Sequence, residues 1–374
     1  MGYIDCDTHI WEYDHTWSYL ASTEQQYRPT TWQSTNDFGH VRKQFIGRSG
    51  WTMTHGDSPL GSGAHRDEEL QLYPLGTRTL QDTKTRMRQM DDWGVDVQIC
   101  HPTGWGIVTI NDPAEELALT NSYNRWMADT TASTNGRLRW QIQPAMGTPE
   151  AVAAQLEWGK ANGAVGIHLQ GYAHFKVLTD PSFYPVWEKA EELGLVCLVH
   201  VGQGDASRNP KPASPTGVIW NVAAPVVGAF FHLLASDFHT RFPGLKWLFV
   251  EAGGMWAPWM YQQYSRAGAD LWRDLDSDWT KGSKTILAER NIWVSAEQDD
   301  DLPYLLGHMG DDHFTLGSDY GHMDMGTDPY IHRQVLERED IPLESRTKIA
   351  DSNARTLFGI DPAFTPADDA LVTT

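Results

Sequence analysis

Apolar residues along this chain gather into short runs rich in β-branched and aromatic side chains, with longer helix-like stretches between them. Eight such runs read as strands: residues 3–9, 95–101, 137–143, 164–169, 195–200, 246–251, 291–295 and 314–319. Each is bounded by turn residues or by a helix-like segment. Thr148-Pro149-Glu150 opens one helix with a capping residue and a proline at its first position, and Asn162-Gly163 closes it. Asp180-Pro181 opens another, which ends at Leu193-Gly194. The longest apolar stretch, residues 217–235, contains Asn221, Pro225 and His232, so it reads as a buried helix rather than a membrane span. Strands alternating with helices predict an α/β fold, a (β/α)8 TIM barrel, as a single domain over residues 1–374. A doubly wound open sheet is the alternative, but the Gly-rich turn expected after its first strand is missing.

Residues 11–79 do not fit this alternation. They are polar, rich in Trp, Gly, His and Ser, and show little periodicity. A segment this long between two strands predicts an insertion over the barrel mouth, serving as a lid or a subunit contact. The acidic stretch 361–374 reads as a C-terminal surface arm.

Composition narrows the possible partners. The 374 residues carry 49 acidic against 29 basic side chains, a formal net charge of -20. That balance excludes nucleic acid as the expected partner and argues against anionic membrane surfaces. The three cysteines, Cys6, Cys100 and Cys197, are too few for a disulfide framework and read as buried thiols of a cytoplasmic protein. The N-terminus shows neither a signal peptide nor a myristoylation pattern.

Candidate chemistry comes from where the polar residues fall. Barrel active sites sit at the C-terminal ends of the strands. Asp7 and His9 end the first predicted strand and, two residues apart, share a face. His101 ends the second and His168 lies late in the fourth. His200 ends the fifth, Glu251 the sixth and Asp319 the eighth. Such a set converging on the barrel mouth has the donor types of a metal site.

These residues lie in segments that resemble the amidohydrolase superfamily, in its aminocarboxymuconate-semialdehyde-decarboxylase-like branch. The segments are Asp5-Cys6-Asp7-Thr8-His9-Ile10-Trp11-Glu12, the run from Leu178 to Trp187 followed by Leu198-Val199-His200, Arg241-Phe242-Pro243-Gly244-Leu245-Lys246 leading to Phe249-Val250-Glu251-Ala252-Gly253-Gly254, and Leu316-Gly317-Ser318-Asp319-Tyr320-Gly321-His322. The resemblance implies a barrel with a His-x-His pair on strand one, a His on strand five and an Asp on strand eight as ligands. By position these are Asp7 and His9, then His200, then Asp319. Asp7 replaces the first His of the pair, and Glu251 replaces the catalytic His of the branch's decarboxylases.

Asp7, Glu251 and Asp319 bring three negative charges to the site, so one divalent ion leaves about -1 and two leave about +1. Carboxylates with histidines are also the donor mix of di-iron and di-manganese proteins. Spare donors are His101, His168, His174 and Glu12. The resemblance thus extends to an offshoot whose barrel holds a dinuclear non-haem iron centre and acts as a monooxygenase on a small organic substrate. The leading expectation is therefore two iron ions held by Asp7, His9, His200, Glu251 and Asp319, with Glu251, Asp319 and His322 near the chemistry. A separate ferredoxin and reductase would supply electrons. One alternative is a redox-neutral hydrolase or decarboxylase of a small carboxylic acid, using one or two zinc or manganese ions. The other is a non-catalytic partner subunit. Trp105, Trp220 and Trp256 are expected to wall the substrate pocket, and the Trp-rich insertion offers a homo- or hetero-oligomer contact.

Overall fold

The computed structural model describes residues 2–35, 41–58, 66–106, 108–202, 223–268, 282–323 and 326–366. The barrel strands are β1 (Tyr3–Ile10), β2 (Val95–Pro102), β3 (Leu138–Ile142), β4 (Gly166–Gln170), β5 (Val196–His200), β6 (Lys246–Phe249), β7 (Ile292–Ala296) and β8 (Phe314–Leu316). They form one parallel eight-stranded sheet in this order. The sheet curls back on itself through a parallel bridge between Thr8 and Tyr320, where His9 N–H donates to the Tyr320 carbonyl at 2.8 Å. The Asp5 carboxylate fastens the same seam by accepting from Ser318 N–H at 2.9 Å and Ser318 Oγ–H at 2.6 Å. The fold is the predicted (β/α)8 barrel.

Strand residues alternate between two apolar clusters. Val97, Ile99, Val196, Leu198, Leu248 and Val250 join Ile4 and Cys6 inside the barrel, over Leu357 and Phe358 of the C-terminal helix Asn353–Phe358. Cys197, Val199, Trp247 and Phe249 face the surrounding helices. Those helices include α1 (Thr83–Trp93), α2 (Pro113–Thr131), α3 (Pro149–Ala161), α4 (Tyr184–Glu192), α5 (Ala224–Ala235), α6 (Trp256–Gly268) and α7 (Leu302–Met309). Thr148-Pro149 does open α3, and α5 occupies the latter part of the apolar run 217–235. Among the described residues, no helix is long and apolar enough to cross a membrane.

The segment expected to lack periodicity is built differently. It holds a three-stranded antiparallel sheet, Thr30–Thr35, Val41–Ile46 and Thr52–Thr54, and the short helices Arg66–Leu72 and Leu75–Arg78. The sheet was hidden because Thr30–Thr35 has no buried residue and so no apolar-polar alternation to read. The buried Glu115 carboxylate of α2 holds the adjoining turn, accepting from Arg48 N–H, Ser49 N–H and the Trp51 indole. Met53 lies against Gly104, just beyond the C-terminal end of β2. A Cβ on Gly104 would fall 2.2 Å from the Met53 sulfur, so only glycine permits this contact. Of the stretch 361–374, residues up to 366 are described, and the Phe364 carbonyl accepts from Arg355. Trp220 lies outside the described residues.

Candidate metal centre

Strand β1 delivers two donors through an irregularity. Asp5 pairs with Gln98 but Thr8 pairs with Cys100, so β1 spends one residue more than β2 over this step. This bulge moves the inward face from Ile4 and Cys6 to Asp7 and His9. Gly317 completes the placement from the other side of the seam, since a Cβ there would meet the Asp7 Cβ at 2.2 Å.

Around this point the structure gathers seven donors in two overlapping groups. One contains Asp7, His9, His101 and His200. The other contains His9, Glu251, Asp319 and His322. Within each group the candidate ligand atoms lie within 4.8 Å of one another. His101 Nε2 is 3.0 Å from Asp7 Oδ1, and His200 Nε2 is 2.7 Å from Glu251 Oε2. His9 Nε2 lies 3.2 Å from both His200 Nε2 and Asp319 Oδ1. His322 Nδ1 lies 2.7 Å from Asp319 Oδ1.

The rings are aimed by their far nitrogens. His9 Nδ1 is 3.1 Å from Thr103 Oγ1, His168 Nδ1 is 2.8 Å from Gln143 Oε1, and His200 Nδ1 donates to the Val201 carbonyl at 2.7 Å. Each contact leaves Nε2 as the second donor atom, the arrangement by which outer hydrogen bonds orient metal-binding histidines. Thr327 Oγ1 donates to Asp319 Oδ2 at 2.8 Å in the same way. Asp7 Oδ1, Glu251 Oε2 and Asp319 Oδ1 are buried facing imidazole nitrogens of the same cluster, and His168 Nε2 is buried without a hydrogen-bond partner. Carboxylates and imidazoles buried and crowded this tightly carry a desolvation cost that a cation would offset, so the residues fit a divalent ion.

Glu251 and Asp319 are not strand residues, as expected from sequence, but stand just beyond β6 and β8. Both have left-handed backbones, with φ of 58° and 51°. Non-glycine residues in this region are uncommon and cluster at functional sites.

The cluster is strongly polarised. Burial pushes the Glu251 carboxyl up to about 8, against the pull of the nearby His200. Burial works against Asp7 as well, but contacts with His101 and His200 outweigh it and hold its carboxyl below the usual range. Burial alone would lower His200, yet the Glu251 and Asp7 carboxylates raise it well above an ordinary imidazole. Burial and the neighbouring histidines lower His9.

Three expected site residues stand elsewhere. The His174 ring pairs with Glu116 at 2.9 Å on the short hairpin after β4, outside both donor groups. Glu12 is buried beneath the loop after β2, where it accepts from Gly104 N–H at 3.0 Å. Expected as a spare donor, it lies past the end of β1 and outside both donor groups. Trp256 donates its indole N–H to the Ala252 carbonyl and packs on Phe230 and Phe249. It thus belongs to the helical layer rather than a pocket wall. His101 and His322 fall inside the donor groups. His168 stacks on His101 with ring centroids 5.7 Å apart.

His168 also joins the centre to an open pocket lined by Trp105, Gln143, Met146, Gln170 and His174 among others. Trp105 is thus part of this pocket's lining. Thr103, Gln143 and Thr327 were missed, because uncharged side chains at strand ends carry no signal of their own.

The chain matches the family described as Amidohydrolase over residues 4–360. Its fold is similar to that of an amidohydrolase from Mycobacterium avium subsp. paratuberculosis K-10, at 17% identity and a TM-score of 0.73, covering 97% of this chain and 99% of that one. It is similar to a dihydroxybenzoic acid decarboxylase from Polaromonas sp. JS666 with bound manganese and the inhibitor 2-nitroresorcinol, at 16% identity, TM-score 0.68 and coverage of 97% and 98%. It is also similar to 5-carboxyvanillate decarboxylase from Sphingomonas paucimobilis, at 17% identity, TM-score 0.66 and coverage of 96% and 99%. With its donor cluster at the C-terminal mouth of the barrel, the chain belongs to the amidohydrolase family and is a metal-dependent enzyme on that fold.

Proposed function

We propose that this chain is a redox-neutral lyase acting on a small carboxylic acid, from which it removes carbon dioxide. The observation that carries the reading is the junction at His168, where a donor cluster suited to a divalent ion meets an open pocket lined by Trp105 and Met146. Asp7, His9, His200 and Asp319 would hold the ion. When bound, it supplies positive charge that draws in the substrate carboxylate and stabilises negative charge as the reaction proceeds. The other steps belong to the chain. Trp105 and Met146 wall the pocket and exclude water from its apolar side. Glu251, 2.7 Å from His200 and buried in a setting that favours its protonated form, is the chain's proton carrier at the site. That proton is the one to be placed on the carbon that loses its carboxylate, the role left open by the absence of a histidine at this position. The folds of two named decarboxylases support the same reading.

A second reading has one specific observation in its favour. The two overlapping donor groups hold seven candidate ligands, more than the roughly four to six that a single transition-metal ion takes. A pair of iron ions there would fit a monooxygenase fed by a ferredoxin and its reductase. Metal analysis of the purified protein, followed by assay of a panel of small carboxylic acids with Mn2+, separates the two. The lyase reading expects carbon dioxide release without dioxygen uptake. Two irons per chain and dioxygen consumption on reduction would replace it with the second.

A further inference from the structure

The segment after β6 raises a question of its own: what holds Glu251, a β-carbon-bearing residue, at a φ of 58°? Its own side chain does not close a local turn; it reaches His200. The restraint lies in the following residues. Gly253 N–H donates to Glu297 Oε1 at 2.9 Å, and Gly254 N–H donates to Asp300 Oδ2 at 2.8 Å. The same Asp300 oxygen accepts from the backbone N–H of Glu297 at 2.9 Å, which ties the Asp300 carboxylate to the end of β7. Asp300 is further tied down as its carbonyl accepts from Arg338. Glu297 directly follows β7, so the device spans two adjacent strand ends.

The close approach depends on glycine. A Cβ on Gly254 would stand 2.6 Å from the Leu305 side chain, and one on Gly253 would stand 3.3 Å from Asp300 Oδ1. Gly253 is itself left-handed, with a φ of 63°. The run Glu251-Ala252-Gly253-Gly254 is thus shaped to present two successive backbone donors to two partly or fully buried carboxylates.

We propose that Glu297 and Asp300 are positioning residues, a carboxylate clamp from the β7 end that fixes the backbone after β6 and thereby sets the Glu251 carboxyl against His200. The inference rests on the proposed reading of the site, in which Glu251 acts on the metal centre through its 2.7 Å contact with the ligand His200. Charge is not what the clamp requires, only a hydrogen-bond acceptor, and so an amide substitutes for the acid where a methyl does not.

Crystal structures of E297Q and E297A test this directly. E297Q keeps the acceptor and leaves Glu251 left-handed and within hydrogen-bond reach of His200. E297A frees Gly253 N–H, and Glu251 leaves that conformation and that contact. Mn2+ titration of the full-length protein reads the consequence. E297A weakens binding about 5- to 10-fold, E297Q stays within about twofold of the unaltered chain, and E297A adds nothing to E251Q, because it acts through Glu251. If E297A gives no folded protein, E297S, which also cannot reach Gly253, takes its place. An E297A chain with Glu251 unmoved, or one that loses Mn2+ affinity equally with and without E251Q, overturns the proposal. A chain that takes up no Mn2+ sinks the metal reading instead, and the crystal structures still decide the clamp.

Discussion

His9 is the one side chain common to both donor groups, so its loss removes a ligand from each possible cation position. H9A is expected to lower bound Mn2+ at least tenfold, measured by equilibrium dialysis, with the melting temperature of the metal-free protein nearly unchanged. H174A, which breaks only the pair with Glu116, leaves Mn2+ binding intact. Glu12 makes a contrasting prediction. It lies under the loop after β2, and burial raises its carboxyl to about 7 from an ordinary 4.5. A raised acid binds its proton in the folded chain where the unfolded chain has already lost it. Glu12 therefore supports the fold fully below about pH 4.5, and this support fades as pH rises through about 7. The loss is on the order of 3 kcal/mol for the 4.5-to-7 difference. E12Q, uncharged at every pH, should melt with a flatter profile between pH 5 and 8 than the unaltered chain; parallel profiles would contradict the assignment. At this scale Asp7, His9, His200 and Asp319 were legible because a carboxylate or imidazole at a strand end is conspicuous. Glu12 and His174 have the same chemistry close in sequence, and only the path of the chain separates them from the centre. Glu297 was missed because nothing in the pattern marked the end of β7 as part of the site.

The strands and their order could be read from apolar runs because a parallel strand buried on both faces leaves a nearly continuous apolar signal. What could not be read is the bulge in β1. A strict two-residue alternation would set Asp7 and His9 opposite Ile4 and Cys6, whereas the extra residue before Thr8 lets both pairs face inward. The sheet within 11–79 was equally hidden, since its first strand, with no buried residue, shows no apolar face. The seam between β8 and β1 is where element packing meets the centre. G317A is expected to destabilise the fold by about 1–3 kcal/mol, since a Cβ there overlaps that of Asp7. It should weaken Mn2+ binding as well, because Asp7 must retreat. Urea unfolding and Mn2+ titration of the one variant check both, and an unchanged affinity would mean that Asp7 does not touch the ion.

Taken as a whole, the molecule pairs its buried charges at one end of the barrel, Arg355 with Asp96 and Asp351, and gathers buried carboxylates and imidazoles at the other, the mouth, where a bound cation would balance them. A cation bound only by the folded chain stabilises it by mass action, by about 2.7 kcal/mol at one hundred times its dissociation constant. Dialysis against a chelator should therefore lower the melting temperature by several degrees, and Mn2+ should restore it; H9A should show neither change. The net charge of -20 adds to the same tendency, since a strongly acidic protein draws divalent cations to its surface. The most direct measurement is an anomalous-difference Fourier map from crystals grown with Mn2+. The account predicts a peak about 2.0–2.3 Å from Asp7, His9, His200 and Asp319 at the barrel mouth. Mn2+ density elsewhere on the surface, with none among these four side chains, would contradict it.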